Sequence, residues 1–145
     1  MGHTVVWIDN ENNYYSVVLK QQRRLQLVDD PNYTFYLGDL QDKQLIEDIF
    51  TSHDIEYVCH LAAQAGVRYS LENPESYITS NLLSFYHIIE AAKNHKVKKF
   101  VYASSSSVYG DHSLEKTAID AETSKPVSLY AATKKSNELI AHVYA

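Results

Sequence analysis

Short apolar runs alternating with amphipathic stretches constrain this chain more than any other feature in it. Thr4-Val5-Val6-Trp7-Ile8, closed by Asp9-Asn10, reads as a buried strand ending in a polar turn. Residues 15–28 carry Val17, Val18, Leu25 and Val28 among polar residues, which predicts a helix. A second strand is predicted at 32–37, ended by Gly38-Asp39-Leu40. Leu45, Ile46, Ile49 and Phe50 recur at helical spacing, so 41–52 is read as an amphipathic helix. A third strand at 55–60 runs into the small-residue turn Leu61-Ala62-Ala63-Gln64-Ala65-Gly66. After a loop at 67–73, Pro74 suits the first turn of a helix reaching His95, with Tyr77, Ile78, Leu82, Phe85, Ile88, Ile89 and Ala92 as its buried stripe. A fourth strand at 98–103 and a last helix at 130–144 complete the series, separated by a polar loop at 111–127. Such alternation predicts an α/β domain, a parallel sheet wrapped on both faces by helices. Ligands in these sheets bind beyond the carboxyl ends of the strands, where Asp9, Asp39, the 61–66 turn and Ser104-Ser105-Ser106-Ser107 fall.

Composition narrows the class. At 145 residues the chain is one domain in size, and 45% hydrophobic with 21% charged residues is ordinary for a globular protein. A net charge of -5 without a basic run argues against nucleic acid as a partner. No apolar stretch approaches a membrane span and no signal-peptide pattern stands at the start, so a cytoplasmic location is expected. The single Cys59 cannot form an internal disulfide and is read as a small core residue. Seven histidines lack the paired spacing of a metal site, and no metal is expected.

The chemistry is concentrated between residues 104 and 134. Tyr130 and Lys134 stand four apart in Tyr130-Ala131-Ala132-Thr133-Lys134, so on a helix they share a face. A cation beside a phenol favours the phenolate, which makes the tyrosine a usable proton acceptor. A hydroxyl from the serine run can hold a substrate oxygen beside it. Taken singly, each part also has a plain reading: an aromatic packing on a helix, a solvated lysine, and serines satisfying a strand end.

Together these stretches resemble the extended short-chain dehydrogenase/reductase family, and within it the NAD-dependent nucleotide-sugar epimerases and dehydratases. They are most similar to the UDP-glucuronate 4-epimerases. The resemblance is carried by Val6-Trp7-Ile8-Asp9-Asn10, Phe35-Tyr36-Leu37-Gly38-Asp39-Leu40, the segment from His60 through Gly66 to Val67-Arg68-Tyr69-Ser70, the serine run with Val108-Tyr109-Gly110, and the Tyr130/Lys134 pair. It implies a Rossmann-like fold and NAD as cofactor. Asp9 would hold the adenosine ribose, against the alternative of an aspartate closing a turn. Asn10 and Asn13 would line the same region, and Asp39 with Leu40 would meet adenine, against a capping role for Asp39. Leu61, Ala62 and Ala63 would let backbone approach the dinucleotide, and Ala103 would lie beside it at the next strand end. Asn81 would sit near the nicotinamide ribose, or else serve a buried structural hydrogen bond. Arg68 would reach a substrate phosphate or carboxylate. Ser105 would hold the sugar O4, Tyr130 would take its proton, and Lys134 would serve both Tyr130 and the ribose. A dehydratase or decarboxylase of the same family is a further alternative, and the serine run without an acidic residue beside Ser105 argues against dehydration.

One family element is not in these residues. The four glycines stand at 2, 38, 66 and 110, so no glycine-rich pyrophosphate turn can form. The implied domain is therefore a partial dinucleotide-binding domain over 1–145, with its first strand and the substrate domain absent and turnover by the chain alone not expected. The missing strand would lie mid-sheet, between the first and third strands here. These must either close on each other or be bridged by another chain, so a homodimer or domain swap is expected; the alternative to the epimerase function is a non-catalytic remnant acting as a binding or assembly module.

Overall fold

The computed structural model describes residues 2–111 and 121–145. Part of the polar loop expected at 111–127 lies outside the described residues. Strand β1 is Val5–Asp9, followed by helix α1, Val17–Leu25, and strand β2, Tyr33–Leu37. Helix α2, Lys43–Ser52, leads to β3, Tyr57–His60. Two single turns, α3 at Tyr69–Glu72 and α4 at Pro74–Tyr77, precede a π-helical segment at Ile78–Leu83 and helix α5 at Ser84–Asn94. Strand β4 is Lys99–Tyr102, a 3-10 turn spans Ser106–Tyr109, and helix α6 is Leu129–Tyr144.

The helix starts follow from capping side chains. Ser16, Asp42, Asn73 and Ser128 each accept a backbone N–H of the turn they precede, which satisfies donors the helix itself cannot. Pro74 occupies the first turn after the Asn73 cap, as its missing N–H allows.

Both strand pairs are parallel. β1 pairs with β2, Val5 opposite Tyr33 through Asp9 opposite Leu37, and β3 pairs with β4, Tyr57 opposite Lys99 through His60 opposite Tyr102. The two ladders do not join, and each remains a two-stranded sheet. Of the two outcomes expected for β1 and β3, closure on each other is thus not what the single chain does. Helices lie on both faces of the β1–β2 ladder: Arg24 of α1 stacks over Phe35 at 4.6 Å, while His53 at the end of α2 meets the Tyr36 hydroxyl at 2.8 Å.

The core sits between α2, α5 and the β3–β4 ladder. Ile46, Phe50, Ile88, Ala91 and Ala92 are buried there, with Val58, Val97 and Phe100 packed against them. Alternation along the strands places Tyr57, Cys59 and Val101 on the opposite face, where all three are exposed. The expectation of a buried Cys59 is corrected accordingly. Ile78, expected in the buried stripe, is 44% exposed, because the π-helical segment turns the apolar face out of its α-helical register.

Candidate active site

Parallel pairing brings all four strand ends to one side of the domain. At the ends of β1 and β2 the loop is built from side chains bonding to nearby backbone. Asp9 Oδ1 accepts the Glu11 N–H at 2.7 Å, Asn10 Oδ1 accepts the Asn12 N–H at 3.0 Å, and Asn12 Oδ1 accepts the Tyr14 N–H at 3.3 Å. Asp39 has both oxygens engaged, Oδ2 by Asn10 Nδ2 at 2.7 Å and Oδ1 by the Gln41 N–H at 2.9 Å. Asp39 therefore closes the turn after β2, while the α2 cap is Asp42.

These turns wall a cavity of about 210 Å³ with the 61–64 segment on its far side. Asp9, Asn10, Asp39, Leu40, Leu61, Ala62 and Ala63 line it, so seven of the residues picked out in the sequence meet in one place. Asn13 does not line it; Asn12 does. Sequence reasoning also passed over Tyr14, Gln64 and Lys20. Among the lining residues Lys20 is the one cation, its Nζ donating to the Asn12 carbonyl at 2.9 Å and to Asn12 Oδ1 at 3.3 Å. No motif marks these three; only the fold brings them to the wall.

Asn81 lies beneath that wall instead of on it. It is 1% exposed, its Oδ1 accepts the Gln64 N–H at 2.7 Å, and its Nδ2 donates to the Gln64 carbonyl and to Thr133 Oγ1, both at 3.1 Å. Tyr77, fully buried, donates from its hydroxyl to the carbonyls of Ala65 at 2.7 Å and Gly66 at 2.5 Å. Burial in that setting, with the Tyr14 phenol nearby, pushes the Tyr77 pKa up to about 12.

The second cluster stands at the end of β4. Lys134, 3% exposed on α6, donates from Nζ to the Ala103 carbonyl at 3.0 Å, two residues before Ser105. Burial holds its pKa below the ordinary lysine value, because a charged amine loses its hydration there. Ser105 begins the 3-10 turn and accepts the Ser107 N–H at 3.2 Å. Tyr130, one turn before Lys134, is half-buried with its ring edge-on to Tyr77, centroids 6.1 Å apart. His60 at the end of β3 is buried between Phe85 and Phe100, and burial followed by the Lys134 charge lowers its pKa to about 4. It is therefore a neutral imidazole at pH 7. The carboxylate that does approach the serine run is Glu138 of α6, which accepts from Ser104 Oγ at 2.6 Å. Arg68 is exposed just before α3. Among the described residues no group of three His, Cys, Asp or Glu can hold a metal ion, and no helix is long and apolar enough to cross a membrane.

Known proteins are similar to this chain in sequence and fold. Protein CapI of Staphylococcus aureus is 45% identical over 144 residues, covering 99% of this chain and 43% of CapI. UDP-glucuronate 4-epimerase 4 of Arabidopsis thaliana is 43% identical, covering 99% of this chain and 33% of the plant protein. A crystal structure of the Bacillus cereus UDP-glucuronic acid 4-epimerase Y149F mutant, in complex with UDP-4-deoxy-4-fluoro-glucuronic acid and NAD, superposes with a TM-score of 0.81 at 31% identity. That match covers 97% of this chain and 44% of the Bacillus chain. The chain thus spans less than half the length of these relatives. The family model for GDP-mannose 4,6 dehydratase matches residues 1–145, and the chain belongs to that family, which includes NAD-dependent nucleotide-sugar epimerases and dehydratases.

Proposed function

We propose that this chain is part of a NAD-dependent nucleotide-sugar 4-epimerase acting on a UDP-glucuronate-like substrate, with oxidation and re-reduction at the sugar C4. The observation that carries the reading is the buried Lys134, bonded to the Ala103 carbonyl beside Ser105 and one helical turn from Tyr130. The residues present fit the adenosine end of the cofactor: a carboxylate at Asp9, small side chains at Ala62 and Ala63, and one cation at Lys20 around a common cavity. At about 210 Å³ it is smaller than the roughly 300–1,000 Å³ usual for a ligand pocket, which suits part of a dinucleotide.

When bound, NAD supplies the acceptor and donor of the C4 hydride. Tyr130 takes the proton of the sugar 4-hydroxyl and later returns it. Ser105 donates a hydrogen bond to O4 and shares the charge that develops there. Lys134 places a positive charge one turn from the phenol and orients it. Asp9 accepts hydrogen bonds from ribose hydroxyls and would repel a 2'-phosphate, which favours NAD over NADP. Because positioning supplies much of an enzyme's rate, this chain alone is proposed to be inactive. Calorimetric titration with NAD and NADP tests the reading. NAD binding that is lost in Asp9→Ala supports it, and absence of heat with the wild-type chain refutes it.

The unjoined edges of β1 and β3 favour a second reading, a non-catalytic assembly module that pairs with another copy of itself. Native mass spectrometry at micromolar concentration would then show a dimer, and a monomer counts against it.

A further inference from the structure

The helical region after residue 73 does not run as one α-helix. Its π-helical segment, Ile78–Leu83, is closed by Ser84, whose backbone N–H and hydroxyl both reach the Thr79 carbonyl five residues back, the hydroxyl at 3.1 Å. Turns of this kind interrupt regular helical bonding and recur at functional sites. This one delivers Asn81 to the space between the cavity wall and α6.

An asparagine amide has two N–H donors and one carbonyl acceptor. At Asn81 both donors and the carbonyl are engaged, one side of the amide by the Gln64 backbone and the other by the Thr133 hydroxyl. Thr133 Oγ1 in turn donates to the Tyr130 carbonyl at 2.8 Å. The chain of bonds therefore runs from Gln64, which lines the cavity, through two side chains each 1% exposed, to the backbone of Tyr130. Packing alone would be served equally by apolar residues of the same size. A fully satisfied buried network instead selects one arrangement of the groups it joins. Tyr77 acts in parallel, with its hydroxyl on Ala65 and Gly66 and its ring against Tyr130.

We infer that Asn81 and Thr133 are positioning residues for Tyr130, locking the first turn of α6 to the cavity wall at Gln64. This rests on the proposed role of Tyr130 as proton acceptor. It gives Asn81 a task other than contact with the cofactor ribose.

The experiment uses the chain with 13C-labelled tyrosine rings, observed by NMR, the Tyr130 resonance being identified by its loss in Tyr130→Phe. Thr133→Val and Asn81→Asp are expected to move the Tyr130 resonance by more than its line width and to leave Tyr144, at the far end of the same helix, in place. Thr133→Ser keeps the hydroxyl and is expected to restore the wild-type position. A Tyr130 resonance unmoved in both variants overturns the inference. So does a Thr133→Ser spectrum displaced as far as that of Thr133→Val, or loss of folded circular dichroism in both Thr133→Val and Asn81→Asp. Adding NAD separates the two claims: a wild-type chain that binds none refutes the functional reading, while the ligand-free spectra still decide the positioning role.

Discussion

The Nζ of Lys134 and the carbonyl of Ala103 are 3.0 Å apart, and this bond ties the middle of α6 to the end of β4. Truncation to Lys134→Ala leaves a partly buried carbonyl without its donor and opens a cavity at the buried lysine. The expected loss is about 2–4 kcal/mol in urea unfolding. Lys134→Met refills the space without a charge to desolvate and is expected within about 1.5 kcal/mol of wild type. Equal losses for the two variants would show that packing around the amine contributes little.

His60 makes stability depend on pH. Its folded pKa of about 4 lies below the ordinary 6.5, so between these values the unfolded chain binds a proton that the folded chain refuses. The stabilisation is complete above pH 6.5 and is lost as pH falls through 6 and 5 towards 4, on the order of 3 kcal/mol in all. Compared from pH 7 to 4.5, the urea midpoint of wild type should fall relative to that of His60→Phe as acid is added. Parallel curves would contradict the assignment.

Gly66 has φ +100, and a Cβ built there would stand 2.6 Å from the Tyr14 hydroxyl oxygen and 3.6 Å from that of Tyr77. Gly66→Ala is expected to cost about 1–3 kcal/mol from the backbone alone. Adding Tyr14→Phe removes the closest contact and should recover only the remainder of the loss. Full recovery in the double variant would mean that the backbone conformation is not the source.

Tyr77→Phe removes the donor shared by the carbonyls of Ala65 and Gly66, together with the hydroxyl's interaction with the Gln64 side chain. The expected loss is about 1–3 kcal/mol by thermal or urea unfolding. Because the same turn walls the cavity, NAD affinity measured by calorimetry should fall together with stability.

Much of this architecture was legible before any coordinates. All four strands and the major helices fall within about three residues of the boundaries read from apolar periodicity, because those runs are strong and bounded by turn residues. The exception is instructive. Residues 74–95 read as one helix, yet the Thr79–Ser84 bond inserts a π-turn that exposes Ile78. Periodicity measures apolar spacing and carries no information about which carbonyl a serine will reach. The single turn at Tyr69–Glu72 was hidden in a stretch read as loop, since four residues are too few for a helical pattern to register.

The site divides in the same way. Asp9, Asn10, Asp39 and the 61–63 residues sit at strand ends that topology alone predicts, and they meet around one cavity. Asn81 was visible as a residue type, but its orientation depends on the π-turn, and Asn13 gave its expected place to Asn12. Lys20 reaches the cavity from α1 through the Asn12 loop, a contact encoded by no local motif.

The two unlinked ladders bear on how the molecule opens. Helix α1 has no fully buried residue, whereas α2 and α5 share the core with β3 and β4. Amide hydrogens of β1 and β2 should therefore exchange with solvent deuterium sooner than those of β3 and β4, each ladder reporting its own opening free energy. What binds across both halves would slow the faster set and merge two cooperative units into one.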